Sequence, residues 1–307
     1  MKYDIVVVGS INMDVIVQCP QYPEYGDTVF CNSIAMTPGG KGANQAATVA
    51  RLGKKTALIG AVGKDSAGSS LLQNLQSKGV DTTHMLEIDN QGTGTFVAMV
   101  DSTGENTMVG TKGANDFITK EDIDAIFDQI EAKILLVQME TSKESIIAAM
   151  KAAKERNMYV ILDPAPADGI FEEAFQYADL VVPNKQETER ITGIEVTDQE
   201  TALLAAKKIR EMGVSDVIVK MAENGSLVYQ NDVPTLIDAI KITAVDTVGA
   251  GDCYAGAIAS AYLDTNDLIQ AAKFASVAAG IKVSRTGGQD AIPTMEEVEE
   301  YRKTVSV

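Results

Sequence analysis

Two glycine-rich segments hold the residues best able to do chemistry. In Asp246-Thr247-Val248-Gly249-Ala250-Gly251-Asp252, small residues lead to a carboxylate where an apolar helical pattern, residues 253–262, begins. Glycines let a backbone approach a ligand closely, and free N–H groups at a helix start attract anions. A carboxylate beside such a place suits a base that takes a proton from a hydroxyl while a phosphate is held nearby. An Asp there can also simply cap the helix, but Gly249, Ala250 and Gly251 ahead of Asp252 favour the base. The second segment, Gly39-Gly40-Lys41-Gly42-Ala43-Asn44, opens another helical pattern.

Further polar candidates fall at the ends of apolar runs. Asn12 and Asp14 follow residues 5–8, Glu140 follows 134–137, Asp163 follows 159–162, and Asn184 and Glu187 follow 180–182. Ligands of open α/β sheets bind beyond the carboxyl ends of strands, and a core explanation does not cover so many polar residues at equivalent positions. Asn12, Asp14, Lys41 and Asn44 offer both donors and acceptors, as sugar hydroxyls require. A turn closed by side-chain-to-backbone bonds accounts equally well for Asn12 and Asp14. Asn184 and Glu187, three apart on one helix face, supply oxygens suited to a hydrated Mg²⁺, and Asn184 is also a good cap. Neither Gly-x-x-x-x-Gly-Lys-Ser/Thr nor Gly-x-Gly-x-x-Gly after the first strand occurs, which weighs against a P-loop and against a nicotinamide dehydrogenase.

The elements that must position these residues alternate regularly in the second half of the chain. Helices are expected over 120–130, 143–156 and 201–212, and strands over 134–137, 159–162, 180–182 and 216–219, with a short helix after Phe171. That rhythm predicts a parallel sheet with helices on its faces. Helices over 255–262, 268–283 and 295–304 close the chain. The first half is less regular: a strand over 4–9, β-like runs over 15–17 and 29–35, a helix over 40–52, a strand over 56–62, a helix over 67–78, and a hairpin over 93–101 and 106–110 turned at Ser102-Thr103-Gly104. Two insertions, roughly 12–36 and 93–112, are expected to form a strand-rich lid; an antiparallel edge on the main sheet is the alternative.

Composition narrows the function classes. The 307 residues carry a formal net charge of −17, a field that repels nucleic acid and anionic membrane. Any phosphate must then be held locally. No apolar run is long enough to span a bilayer, and Cys19, Cys31 and Cys253 lack metal-ligand spacing, so a reduced cytoplasmic protein is expected. His84, the single histidine, follows Asp81-Thr82-Thr83 and reads as a surface residue.

Residues 39–46, followed by Ala50-Arg51-Leu52-Gly53, resemble the first signature of the ribokinase, or PfkB-type, carbohydrate kinases, and residues 246–252 resemble the second. The likeness runs from Gly9-Ser10-Ile11-Asn12-Met13-Asp14 to Ile292-Pro293, and Asn12, Asp14 and Lys41 place it nearest the ribokinase branch. The resemblance implies a single domain over 1–307 with a three-layer α/β fold: a mostly parallel central sheet flanked by helices, plus the small β lid. It implies transfer of the γ-phosphoryl of ATP to the primary hydroxyl of a pentose, D-ribose first. A nucleoside, fructose or keto-deoxy sugar acid kinase, and a non-catalytic sensor, are the rivals. By the same resemblance Asn12, Asp14, Gly40, Lys41, Asn44 and Glu140 bind sugar. Asp252 is the base, and the amides of Gly249, Ala250, Gly251 and Asp252 form the anion hole. Asn184 and Glu187 organise Mg²⁺ largely through water. Lys220, Met221, Ala222, Glu223, Asn224, Gly225, Gly251 and Ser276 hold ATP, with adenine between loops near 245 and 276–280. A K⁺ site is implied at the Asp246 carboxylate and the carbonyls of Val248, Lys282, Arg285 and Gly287, with Ala291 nearby. The lid closes over the sugar and pairs two subunits. Two departures stand out: Ala222 occupies a usual Gly position, and Ala291 replaces a hydroxyl residue, which points to a weakened or rearranged cation site.

Overall fold

The computed structural model describes residues 1–103 and 105–304. In chain order the elements are β1 (Ile5–Val8), β2 (Asn12–Gln18), β3 (Ser33–Gly39), α1 (Lys41–Arg51), β4 (Thr56–Ile59), β5 (Ala61–Gly63), α2 (Ser66–Ser77), β6 (Leu86–Ile88), β7 (Gly94–Val100), β8 (Asn106–Thr111), α3 (Lys120–Phe127), β9 (Ile134–Gln138), α4 (Lys143–Glu155), β10 (Tyr159–Asp163), β11 (Leu180–Val181), α5 (Lys185–Thr192), α6 (Gln199–Arg210), β12 (Asp216–Lys220), β13 (Ser226–Gln230), β14 (Val233–Ile237), α7 (Ala250–Thr265), α8 (Leu268–Val283) and α9 (Met295–Arg302). Eight strands form the central sheet in the order β14-β13-β12-β11-β10-β9-β1-β4. The six from β12 to β4 run parallel, and β13 and β14 add an antiparallel edge.

Strands of a parallel sheet are buried on both faces and so read as unbroken apolar runs. β1 shows this directly: Val6 and Val8 point into a core shared with α3, α4 and α6, while Ile5 and Val7 point into one shared with α1, α7 and α8. Ten of the sixteen residues of α7 are buried, as expected of a helix apolar on nearly every side. The order in which strands are added reverses at β1, which has β4 on one side and β9 on the other. Such a switch point opens a crevice at the carboxyl ends of the strands.

Beyond that crevice lies a separate four-stranded sheet, β3-β2-β7-β8. It is built from the two early segments and does not join the edge of the main sheet. β2 begins at Asn12, so Asn12 and Asp14 are strand residues paired with Gly39 and Thr37 rather than members of a turn. The expected strand over 56–62 breaks at Gly60: β4 stays in the main sheet, and β5 pairs with β6. Gly104 of the expected hairpin turn lies outside the described residues. The helix expected after Phe171 is a 3₁₀ segment, Glu172–Tyr177.

His84 is not on the surface as expected. It is 6 % exposed, and Tyr3 meets its ring edge-on with centroids 5.9 Å apart. Asp81 accepts from the Thr83 amide at 2.9 Å, closing a turn that tucks the ring inward. Burial pushes the imidazole pKa down. Among the described residues, no helix is long and apolar enough to cross a membrane.

Candidate active site

Helix α1 starts where the lid meets the main sheet. Gly40 precedes it at φ 93°, and a Cβ there would stand 2.7 Å from Ile11 Cα, so only glycine lets this turn pack against the end of β1. Ser10 Oγ accepts from the Lys41 amide at 3.0 Å and donates to Glu140 Oε2. The same carboxylate oxygen faces Asn12 Nδ2 at 3.4 Å. Asn115 Nδ2 in turn donates to Asn12 Oδ1 at 2.9 Å and holds the amide in one orientation. The ends of β1 and β9, the start of β2 and the first residue of α1 are thus tied into one polar floor. Burial, then the nearby Glu140 and Asp252 charges, push the Asp14 carboxyl up to about 6 against the opposing pull of Lys41. Burial works against the Lys41 charge, but Asp252 and Glu140 outweigh it and hold its pKa above the ordinary lysine value.

Asp252 lies at the third residue of α7 and is 7 % exposed. Asn44 Nδ2 donates to its Oδ2 at 2.9 Å and Gln45 Nε2 to its Oδ1 at 3.2 Å. Burial nevertheless raises its pKa, with Lys41 opposing. A carboxylate in this state is oriented by donors yet remains a better proton acceptor than a solvated one. Gly249 caps α7 in the left-handed region at φ 72°, and Cys253 is the first residue of the turn to donate back into it, to Gly249 O at 2.9 Å. The Gly251 and Asp252 amides lie ahead of that bond, in the part of a helix that leaves N–H groups open. The Ala250 amide, expected in the same anion hole, donates to Thr247 O at 3.1 Å and is already engaged.

The residues expected to hold nucleotide collect in one cleft of about 1700 Å³, lined by Asn184, residues 220–225, Gly251 and Ser276 among others. Lys220 Nζ lies 3.6 Å from where a Cβ on Gly251 would stand and donates to Asp163 Oδ1 at 2.9 Å. Burial opposes the Lys220 charge, but Asp163 and Glu187 hold its pKa up. Met221 donates to Gly225 O at 2.7 Å and closes the loop. Ala222 holds the left-handed conformation, φ 55°, that a glycine would adopt freely, so the alanine strains the loop. Ser276 Oγ is turned to Asp238 O at 3.0 Å, and Glu223 is 78 % exposed beside Lys185.

Asn184 and Glu187 form a reciprocal capping box on α5. Asn184 Nδ2 reaches Glu187 Oε1 at 2.9 Å and Asn184 N reaches Oε2 at 2.7 Å. Burial raises the Glu187 pKa, with Lys220 opposing. Each Glu187 oxygen keeps a further lone pair, a donor set that fits Mg²⁺ held through its water shell. Among the described residues no three His, Cys, Asp or Glu side chains converge to hold a metal directly.

The expected K⁺ site is different. Asp246 Oδ1 accepts from Val248 N at 3.0 Å and Oδ2 from Gly287 N at 3.2 Å. Lys282 Nζ donates to Asp246 O at 3.3 Å and stands 3.9 Å from Oδ2. The Arg285 guanidinium is turned away to Glu297, and Ala291 is buried. A fixed cation already sits beside Asp246, so these residues do not fit a K⁺ ion there.

Gln45, Ser10 and Gln289 carry more of the site than sequence reading assigned. Gln45 Nε2 bridges Asp252 to Asp163 Oδ2, the latter at 2.8 Å, while its Oε1 accepts from Gln138 at 2.6 Å. Asn44, expected to meet sugar, braces Asp252, and Gln289 Nε2 donates to its Oδ1 at 3.1 Å. Gln45 directly follows Asn44 in the first motif, a signal that was legible; Gln289 had none.

The pfkB family carbohydrate kinase model matches residues 2–295. The chain is 33 % identical to a ribokinase of Haemophilus influenzae over 98 % of this chain and 99 % of that one. It is 34 % identical to a deoxyribokinase of Salmonella typhimurium over 97 % and 98 %. A solved structure of Arabidopsis thaliana ribokinase complexed with ribose and ATP superposes with a TM-score of 0.91 at 31 % identity, covering 98 % of each chain.

Proposed function

For a chain that belongs to the pfkB family of carbohydrate kinases, and is thereby a sugar phosphotransferase, we propose ATP-dependent phosphorylation of the primary hydroxyl of a pentose, D-ribose to ribose 5-phosphate. The observation that carries this reading is the placement of Asp252. Its carboxylate is fixed by Asn44 and Gln45 at the mouth of the open amides of α7, between the polar floor under the lid and the nucleotide cleft. Relatives named for ribose and for deoxyribose both support a pentose.

Sugar hydroxyls are held by Asn12, Asp14, Lys41 and Glu140, with Gly40 shaping the floor. Asp252 orients the primary hydroxyl and accepts its proton as the new O–P bond forms and the bond from the γ-phosphorus to the departing ADP breaks. The amides of Gly249, Gly251 and Asp252, with the positive end of α7, stabilise charge on the transferring phosphoryl. Phosphoryl transfer depends on such alignment and charge neutralisation more than on covalent help. Lys220 and the 221–225 loop hold the nucleotide, with Ser276 also lining the cleft. Asn184 and Glu187 would hold Mg²⁺ through water, and the ion supplies charge neutralisation across the phosphates. No step here runs through a monovalent cation.

The lid sheet closes over bound sugar and excludes water as a competing acceptor. Its exposed Ile34, Met36, Met108 and Val109 support pairing with a second copy. Three free thiols support a reducing, cytoplasmic setting. The test is ADP release from ATP and Mg²⁺ with D-ribose, 2-deoxyribose, fructose and a nucleoside in turn. Ribose is expected to give the highest kcat/KM. No stimulation by any of them would refute the assignment, and a preference for 2-deoxyribose would move it to the deoxyribose branch.

A further inference from the structure

Lys282 is a buried charged group that the mechanism leaves unused. It is 1 % exposed, although lysine is almost never fully buried unless paired. It sits in the last turn of α8, and its amino group reaches under the loop that leads into α7. Among the described residues, the acceptors it meets belong to one residue: Asp246 O at 3.3 Å and Asp246 Oδ2 at 3.9 Å. Its Cε lies 4.0 Å from where a Cβ on Gly249 would stand. A positive charge therefore stands beneath the turn whose amides receive the phosphoryl group.

We propose that the Lys282 ammonium is this protein's built-in replacement for a monovalent cation at the Asp246 loop. An ammonium and a K⁺ ion do the same work at such a place: each neutralises the Asp246 carboxylate, draws in the loop carbonyl and sets the shape of residues 246–249. A tethered cation does so at any salt composition, because it is preorganised and its occupancy does not depend on concentration. Lys282 is thus a positioning residue, acting on phosphoryl transfer through the loop. The rate part of this inference rests on the kinase assignment; the binding part does not.

The test uses the whole chain, with KCl exchanged for tetramethylammonium chloride at a constant ionic strength of about 0.1 M so that screening is unchanged. For the wild-type protein, kcat with ribose and ATP is expected to change less than about twofold across the exchange, and the melting temperature not to move. Lys282→Ala opens the seat; its kcat is expected to fall by about tenfold or more without K⁺ and to recover with K⁺, with a melting temperature that now rises with KCl as binding linkage requires. Tenfold activation of the wild type by K⁺, an undiminished rate for Lys282→Ala without K⁺, or a loss that K⁺ fails to restore would each overturn the proposal. If Lys282→Ala does not fold, the wild-type titration still decides it. Failure of every sugar to release ADP would sink the kinase assignment instead, and the melting measurements would still test the lysine.

Discussion

Replacing Asp252 with Asn changes one atom of the group on which the mechanism turns. Asn44 Nδ2 donates to Oδ2 and Gln45 Nε2 to Oδ1, so both positions of the carboxylate face donors. The new NH₂ must oppose one of them. Neither neighbour turns over freely, because Asn44 Oδ1 already accepts from Gln289 and Gln45 Oε1 from Gln138. The variant therefore keeps the shape of the site, loses the proton acceptor and strains its brace. A positioned base contributes about 10²–10⁴-fold, or about 2.7–5.4 kcal/mol of barrier, and kcat for Asp252→Asn is expected to fall by that factor. The nucleotide cleft is untouched, so the Kd for ATP, measured by calorimetry, is expected to hold within a few-fold. Because the folded pKa of Asp252 is raised, the base is competent only above that value. The wild-type kcat/KM should rise through it with increasing pH, and Asp252→Asn should lose that limb. A variant turning over within about tenfold of wild type, or one that keeps the acid limb, would refute the assignment of Asp252 as base.

Three further outcomes follow from neighbouring residues. Asp14 has a folded pKa raised from 3.8 to about 6, so its contribution to stability is present at low pH and is lost as pH rises through that value; Asp14→Asn should melt higher than wild type at pH 8 but not at pH 4, and equal shifts at both would contradict this. Lys41→Met removes a charge that lowers the Asp252 pKa: sugar KM should rise about ten- to hundredfold and the acid limb should move to higher pH, whereas a matched loss of ATP affinity would place Lys41 elsewhere. Ala222→Gly relieves a left-handed alanine that costs about 1–2 kcal/mol, partly offset by the entropy of glycine in the unfolded chain; thermal melting should rise by about 1–2 °C, and a fall would mean the loop needs the methyl group.

Much of the fold was legible because α/β alternation is written in short windows. α8 lies where its apolar pattern placed it, and strands β9 to β12 fall close to their expected spans. The hairpin β13–β14 was passed over, although Asn231 and Asp232, at φ 51° and 62°, form the two-residue left-handed turn that such a hairpin favours. An antiparallel edge lies outside the strand-helix-strand alternation that marks the preceding parallel strands. Asn12 and Asp14 were ambiguous between turn and site, since a strand that begins at a polar residue carries no periodicity at its first position.

The amino-acid sequence by itself determined which groups were available: a carboxylate behind a glycine turn at a helix start, a lysine in a second glycine turn, and polar residues at the ends of successive apolar strands. These signals are local, and local backbone and capping preferences act within a few residues. Tertiary structure alone decided their states. Asn44 and Asp252 are 208 positions apart, and Gln289 is 245 from Asn44. Burial, which raises the Asp252 and Asp14 pKa values, draws His84 inward and encloses Lys282 beside Asp246, depends on which distant segments pack together, and no window of sequence contains that packing.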